Sequence, residues 1–540
     1  MKLASTSKWL NWTASIRFLT VLILSFSLYF RFVDLDQKVY TTDEVRGLLR
    51  IVGYTGKEFN QQVYDGEIIK SLEIQKYQRH NPEKNFSDTL KALSGNPEHP
   101  PLYYLMSRFW LGWSQEPVGT RALSALVSLF IFPALYWLCL ELFDSPLSGW
   151  IAIALTAVSP FYLMLAQEAR QYSLWTVLIL VSSASLLRGL RTLSVASWAT
   201  YAAAIALGLY THLFFVFVLL THGLYVFTTE KLKDRTTFSY LFASFLGCIT
   251  FIPWAWVIVS NSGRVQSTTS WVASLEISLL DRFSYWQANL SSIFLDFNDL
   301  HINQFVSYII LIPVSYSIYF LYRHTSKKVW LFIFLLISVT ALAQVIPDLL
   351  WGGRRSLLSR YLVPSYLGIH LAIAYLLTQK LFSISKKAHE QQLWRGVFAL
   401  LISVGIISCA ASAQARDWWK GASSINLQVA PLVNQVARPL IISDANLTFI
   451  LPLSHLLEPE VQLQLFEKKK LDEPISQLKI DESIREFEHI FLYSPSSKLL
   501  DQIKQKPGRK LTVLVGNSQW FQDRNFLYQV DQVVANVPGN

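Results

Sequence analysis

Charged side chains are scarce: they make up 16% of the 540 residues, against 52% hydrophobic and 14% aromatic. That balance does not suit a soluble enzyme of this size. Cysteine is nearly absent, and Cys139, Cys248 and Cys409 all fall within apolar runs, so nothing suggests a disulfide framework or a thiolate metal site. The chain lacks a phosphate-cradling glycine loop and a dinucleotide fingerprint, which argues against direct use of a nucleotide cofactor. Its net charge of +10 is spread over scattered anchors and loop arginines, with no basic stripe interleaved with aromatics, so nucleic acid is not implied. No small-residue cleavage site follows the first apolar stretch, Ile16 to Val33, which therefore reads as a retained span rather than a signal peptide.

What the sequence has instead is a succession of apolar runs, each approaching the roughly 20 helical residues that cross a bilayer core. Spans are predicted near 16–33, 118–141, 148–165, 174–187, 197–210, 212–229, 237–258, 304–322, 329–346, 362–378 and 396–413, about eleven in all. The expected fold is mainly α, a polytopic transmembrane bundle with juxtamembrane helices in the first outer loop. Ser197 to Phe227 reads either as one long helix or as a tight hairpin, and basic clusters at both ends favour the hairpin. Lys2 and Lys8, Arg188 and Arg191, Lys231, Lys233 and Arg235, Arg323, Lys327 and Lys328, and Lys380, Lys386 and Lys387 then mark the cytoplasmic side. The loops from Asp34 to Pro117 and from Ser260 to Asn303, with the tail from Arg416, lie outside. Residues 1–414 form the transmembrane domain. Residues 415–540 form a small α/β domain outside the membrane, with β-like runs at Pro439–Ser443, Val461–Phe466, His489–Tyr493 and Leu511–Val515. The Lys468–Lys470 run reads as a solvated face.

Four polar clusters stand at the outer face. Tyr40-Thr-Thr-Asp43-Glu44-Val-Arg46 places an acidic pair just beyond the first span, either as a general base or as the first turn of a helix capped by Thr41 or Thr42. Glu98-His99-Pro100-Pro101-Leu102-Tyr103-Tyr104 starts a helix too short to span, expected to lie in the interface. Gln167-Glu168-Ala-Arg170-Gln-Tyr172 and Trp351-Gly-Gly-Arg354-Arg355-Ser-Leu-Leu-Ser359-Arg360-Tyr361 put charges at the edges of apolar spans, where they are functional candidates or snorkelling residues that touch lipid phosphate. A carboxylate near arginines, histidine and tyrosine, open at bilayer depth, suits attack by a hydroxyl with departure of an anionic phosphate.

The same residues resemble membrane glycosyltransferases of the GT-C class, and more narrowly the family that includes protein O-mannosyltransferases and lipid A aminoarabinose transferases. The resemblance is carried by Asp43-Glu44, Glu98-His99-Pro100-Pro101-Leu102-Tyr103-Tyr104, Arg170-Gln-Tyr172-Ser173 and Arg360-Tyr361, over roughly the first 380 residues. It implies an inverting transferase of the plasma (inner) membrane that moves a sugar from a polyprenyl-phosphate donor to a lipid, glycan or protein hydroxyl. Asp43 would be the base, supported by Glu44, and His99, Tyr103, Arg170, Tyr172, Arg354, Arg355, Arg360 and Tyr361 would hold donor phosphate or lipid. His99 departs from the lysine that aminoarabinose transferases carry there, and an imidazole is cationic only if its pKa is raised. Relatives imply a divalent metal at Glu98, completed here by a histidine such as His212 or His301. The alternative is a transporter or flippase for a lipid-linked saccharide. It predicts charges deep within spans and paired broken helices, and the sequence has almost none of the former and no obvious case of the latter.

Overall fold

Inside a bilayer an amide finds no water, so apolar segments satisfy their backbone only by closing it into helices. The computed structural model, which describes residues 2–231, 233–273, 277–382, 388–468, 486–505, 508–516 and 525–532, places helix at every predicted span. Lys386, Lys387, Lys469, Lys470 and Asn540 lie outside the described residues, as do the side chains of Lys2 and Lys8. Among the described residues, six helices are long and apolar enough to cross a membrane: Ala14–Phe32, Val118–Phe143, Tyr172–Thr192, Leu300–His324, Lys327–Trp351 and His389–Gln414. Counting each of two bent pairs as one span gives eight.

The bends have local causes. Pro146–Ala157 and Pro160–Gln167 meet at 65°, because Pro160 has no amide hydrogen to donate and keeps Ser159 out of the helical region. The Ser159 hydroxyl then donates to the Ile293 carbonyl, 2.5 Å away. Arg235–Ile249 and Ile252–Ser260 meet at 52°, beside Pro253 in the first turn of the second helix.

Val195–Thr211 and Phe215–Thr229 are shorter apolar helices of 17 and 15 residues. They form the expected hairpin, since the Tyr201 hydroxyl lies 3.2 Å from Nδ1 of His222. One continuous helix would hold those residues about 31 Å apart. His212 stands at the turn.

The chain divides into two compact units. The first contains residues to Leu35, Leu93–Tyr103 and Thr120–Ala415, and its core is the packed interior of the helices, with Trp175, Ile179, Phe215, Phe332 and Leu371 among its buried residues. The second contains Asp36–Ala92, Tyr104–Gly119 and the residues from Arg416. Its centre is a six-stranded sheet of β1 (Asp65–Lys70), β2 (Pro439–Ser443), β3 (Gln462–Phe466), β4 (His489–Tyr493), β5 (Arg509–Val515) and β6 (Leu527–Gln532), in the order β1-β3-β2-β4-β6-β5.

β2 is buried along its length and pairs in parallel with β3 and β4. That matches its unbroken Leu-Ile-Ile run, because strands covered on both faces need no alternation. The helix Ser497–Lys504 adds Leu499 and Ile503 to the core over Leu440, Ile442, Ile490 and Leu492. The four predicted strands are present. β1 and β6 were not predicted, and β1 comes from the first outer loop, pairing antiparallel with β3 as Ile68 opposite Gln464.

Candidate active site

In the second unit, the acidic pair opens the helix Thr42–Val52. Thr41 is its cap: the hydroxyl accepts from the Glu44 amide at 3.1 Å, while Glu44 Oε2 accepts from the Thr41 amide at 2.9 Å. This reciprocal box satisfies two amides that would otherwise lack partners. Glu44 is fully buried and lies 3.7 Å from Nζ of Lys420, itself only 4% exposed. Glu44 is therefore committed to shaping the turn, whereas Asp43 is half-buried in the first turn, where the positive helix end favours negative charge. Lys420 was missed by sequence reasoning. Its only signal was a lone lysine closing the Arg416-Asp-Trp-Trp-Lys420 run.

In the first unit, the third and fourth polar clusters come together. A tight turn after Pro160–Gln167, with the Arg170 amide donating to the Glu168 carbonyl at 2.7 Å, precedes Tyr172 at the start of the helix Tyr172–Thr192. Arg170 and Tyr172 are both buried. The Arg170 guanidinium lies 5.9 Å from the centre of the Tyr172 ring, and the Arg360 guanidinium 5.8 Å from that same ring. Arg360 is also 5.9 Å from the Tyr361 ring, so two arginines from distant parts of the sequence share one aromatic neighbour at cation–π range.

His212 completes the group. Its ring lies flat on Trp175 at 4.3 Å, with Tyr172 at 5.7 Å and Tyr361 at 6.2 Å. Nδ1 accepts from the Phe214 amide at 3.1 Å. Burial, reinforced by Arg170 and Arg360, pushes this imidazole down to about 3, so it is neutral at ordinary pH. Arg354 rests over the Trp271 ring at 4.4 Å, and burial, then the neighbouring Arg360, lowers its guanidinium from the usual value. Arg170, Arg354 and Arg360 thus act on one neighbourhood, a set of planar forks suited to phosphate oxygens.

Two predicted ligands have other duties. Arg355 Nη1 lies 2.9 Å from Asp348 Oδ1 in an ion pair whose carboxylate is fully buried. The Tyr103 hydroxyl is 2.7 Å from Ser124 Oγ, which in turn lies 3.4 Å from the Arg170 carbonyl, so Tyr103 braces the arginine turn. Trp254 Nε1 donates to the Pro97 carbonyl at 3.1 Å and pins the Glu98-His99 turn. Pro100 and Pro101 sit just ahead of the helix Leu102–Ser114 rather than inside it.

Among the described residues no group of three or more His, Cys, Asp or Glu could hold an ion. Glu98 neighbours His99 at 4.0 Å, and the charged groups acting on His212 are two arginines, which repel a cation. Trp175, Trp271 and Asp348 also neighbour these side chains and were missed by sequence reasoning; in the apolar run around Trp175 nothing separates a stacking tryptophan from core filler.

Neither a family model nor a curated protein matches the sequence. Solved structures that match by shape include, at 14% identity, ArnT from Cupriavidus metallidurans bound to undecaprenyl phosphate, with a TM-score of 0.52 over 96% of this chain and 99% of that one, and the same protein in the apo state, with 0.51 over 99% and 100%. The likeness runs through the helical bundle and the sheet unit alike. The chain has the fold of ArnT, a lipid A aminoarabinose transferase of the GT-C class, the class that the sequence motifs resemble.

Proposed function

We propose that this chain is a multi-pass inner-membrane glycosyltransferase that moves a sugar from a polyprenyl-phosphate donor to an acceptor hydroxyl outside the cytoplasm. The single observation that carries this reading is the convergence of Arg170 and Arg360 around Tyr172 and His212, with Arg354 beside Arg360, in a fold that ArnT uses with undecaprenyl phosphate bound. In the proposed reaction the acceptor oxygen attacks the anomeric carbon from the face opposite the phosphate, and Asp43 takes the acceptor proton. The bond from that carbon to the phosphate oxygen breaks, the electron pair leaves with the lipid phosphate, and configuration inverts.

Fixed guanidinium groups stabilise the charge that develops on the departing phosphate, which is where preorganised donors contribute most. A neutral His212 serves as a ring wall and leaves the positive charge to the arginines. Glu44 and Lys420 set the turn that presents Asp43. His99 stands as a further donor contact, and Tyr103 acts through Ser124 on the Arg170 turn. In this reading the Lys and Arg loops face the cytoplasm and the sheet unit lies outside it.

The test is binding of undecaprenyl phosphate to the purified protein, followed by native mass spectrometry in detergent. Binding that weakens at least about tenfold in Arg170→Ala and in Arg360→Ala, as expected for loss of a charge-assisted hydrogen bond, supports the reading. Equal binding by wild type and both variants removes the phosphate site.

A further inference from the structure

The segment Trp351–Tyr361 carries three arginines, and the fold treats them differently. Two glycines let the chain leave the helix Lys327–Trp351 sharply: Gly352 has φ 76° and Gly353 φ 113°, a region that side-chain-bearing residues avoid. A Cβ on Gly353 would stand 2.6 Å from the Val272 carbonyl and 3.0 Å from Asp348 Oδ1. The turn so formed folds back over Asp348, in the last turn of that helix.

Asp348 is 2% exposed and is surrounded by donors. Its Oδ2 accepts from the Ser356 amide at 2.7 Å and the Ser356 hydroxyl at 2.8 Å, and Oδ1 from Arg355 Nη1 at 2.9 Å. Arg282 adds a second cation at 3.7 Å from Oδ2 and donates to the Gly353 carbonyl at 2.7 Å. Trp286 reaches Ser356 Oγ at 3.0 Å and Asn289 reaches the Leu357 carbonyl at 2.9 Å. The Arg354 amide donates to Val272 at 2.8 Å.

We infer that Asp348 is a positioning residue for the donor phosphate: it engages Arg355 and Arg282 and locks Ser356, so that the flanking Arg354 and Arg360 are held toward the anion. The inference rests on the donor reading above and sharpens it, because it assigns only two of the three loop arginines to the phosphate. A buried carboxylate is costly to keep unless paired and hydrogen-bonded, and of the groups on this carboxylate Arg355 and Ser356 belong to the loop that carries those arginines, with Arg282 added from outside it. Fixing the phosphate forks in advance spares the ordering cost that binding would otherwise carry.

The experiment compares Asp348→Asn, Arg355→Gln, the double variant and Arg354→Gln for undecaprenyl phosphate binding and for hydrogen exchange across residues 352–361. Asparagine still accepts from Ser356 but leaves Arg355 without its charge partner. Expected are binding about tenfold weaker and faster exchange in Asp348→Asn, with recovery to within about threefold of wild type when Arg355→Gln rebalances the charge. Arg355→Gln alone should shift binding less than about threefold, and Arg354→Gln by about tenfold or more. A double variant that binds worse than Asp348→Asn overturns the inference, because Arg355 would then hold the phosphate itself. So does unchanged exchange in Asp348→Asn. Should Asp348→Asn fail to fold, the Arg355→Gln and Arg354→Gln pair still decides: equal losses overturn the assignment. Wild-type binding by both Arg170→Ala and Arg360→Ala would instead refute the donor reading, while exchange across 352–361 still judges the locked loop.

Discussion

Arg360→Gln separates a phosphate ligand from a packing residue, because the two roles predict opposite effects on the lipid-free protein. The guanidinium groups of Arg170 and Arg360 lie 5.9 and 5.8 Å from one ring centre, so they are at most about 12 Å apart. At an effective dielectric constant near 20, two positive charges at about 12 Å repel by about 1.4 kcal/mol. Removing one charge should therefore leave the lipid-free protein as stable as wild type or slightly more so, after the loss of a cation–π contact of about 0.5–1 kcal/mol. Lipid binding should suffer. A lost charge-assisted hydrogen bond of about 1.5–3 kcal/mol weakens the dissociation constant roughly 10- to 150-fold. At a concentration of undecaprenyl phosphate about 100 times the wild-type constant, ligand stabilisation is about 2.7 kcal/mol, and a hundredfold weaker variant keeps only about 0.4 kcal/mol. Thermal unfolding in detergent with and without the lipid measures both quantities. A variant that is destabilised without lipid yet keeps the full lipid-induced shift would refute the reasoning and make Arg360 a packing residue.

Asp43→Asn should abolish sugar transfer in a product assay while the lipid-induced thermal shift persists, and retained turnover would remove Asp43 as the base. Lys420→Met removes the cation 3.7 Å from the fully buried Glu44 and should lower stability, with part of the loss regained in Glu44→Gln/Lys420→Met; chemical denaturation followed by fluorescence reads both. His212 has a folded pKa of about 3, below its ordinary value. The unfolded chain therefore binds more protons across that window, so the His212 contribution to stability is complete above about pH 6.5 and declines as pH falls toward 3. His212→Gln should flatten that acid limb, and an unchanged limb would contradict the burial argument. A reporter fused at the C-terminus should be active only outside the cytoplasm, and cytoplasmic activity would overturn the orientation read from the Lys and Arg loops.

Much of this architecture was legible because membrane burial writes itself into composition. Each apolar run became a helix, and basic clusters at both ends of Ser197–Phe227 were enough to choose the hairpin that Tyr201 and His222 close. The breaks were less legible. Pro160 signals a bend, but its angle depends on a Ser159–Ile293 contact between residues far apart in sequence. Short apolar or alternating runs marked β2, β3, β4 and β5, whereas β1, Asp65-Gly-Glu-Ile-Ile-Lys, is an edge strand whose hydrophobic content is too slight to stand out.

The site divided in the same way. Charged residues at the ends of spans were conspicuous, and Arg170, Tyr172, Arg360, Tyr361 and His212 indeed share one neighbourhood. Arg354 and Arg355 are adjacent and identical in type, so only the placement of Asp348 separates them. Glu44 looked like half of an acidic pair, and only the Thr41 box and Lys420 assign it to the turn. The expectation for a metal came from relatives rather than from clustered ligands, and a histidine beside two arginines does not fit it.

The account turns on the use of a lipid-linked sugar donor, with Asp43 as the proposed base. The most direct measurement is mass spectrometry of the isoprenoid phosphates that copurify with wild-type protein and with Asp43→Asn from the same cells. The account predicts intact polyprenyl-phosphate sugar trapped on the variant and mainly sugar-free polyprenyl phosphate on the wild type. The same ratio on both proteins, or no isoprenoid phosphate on either, would contradict it.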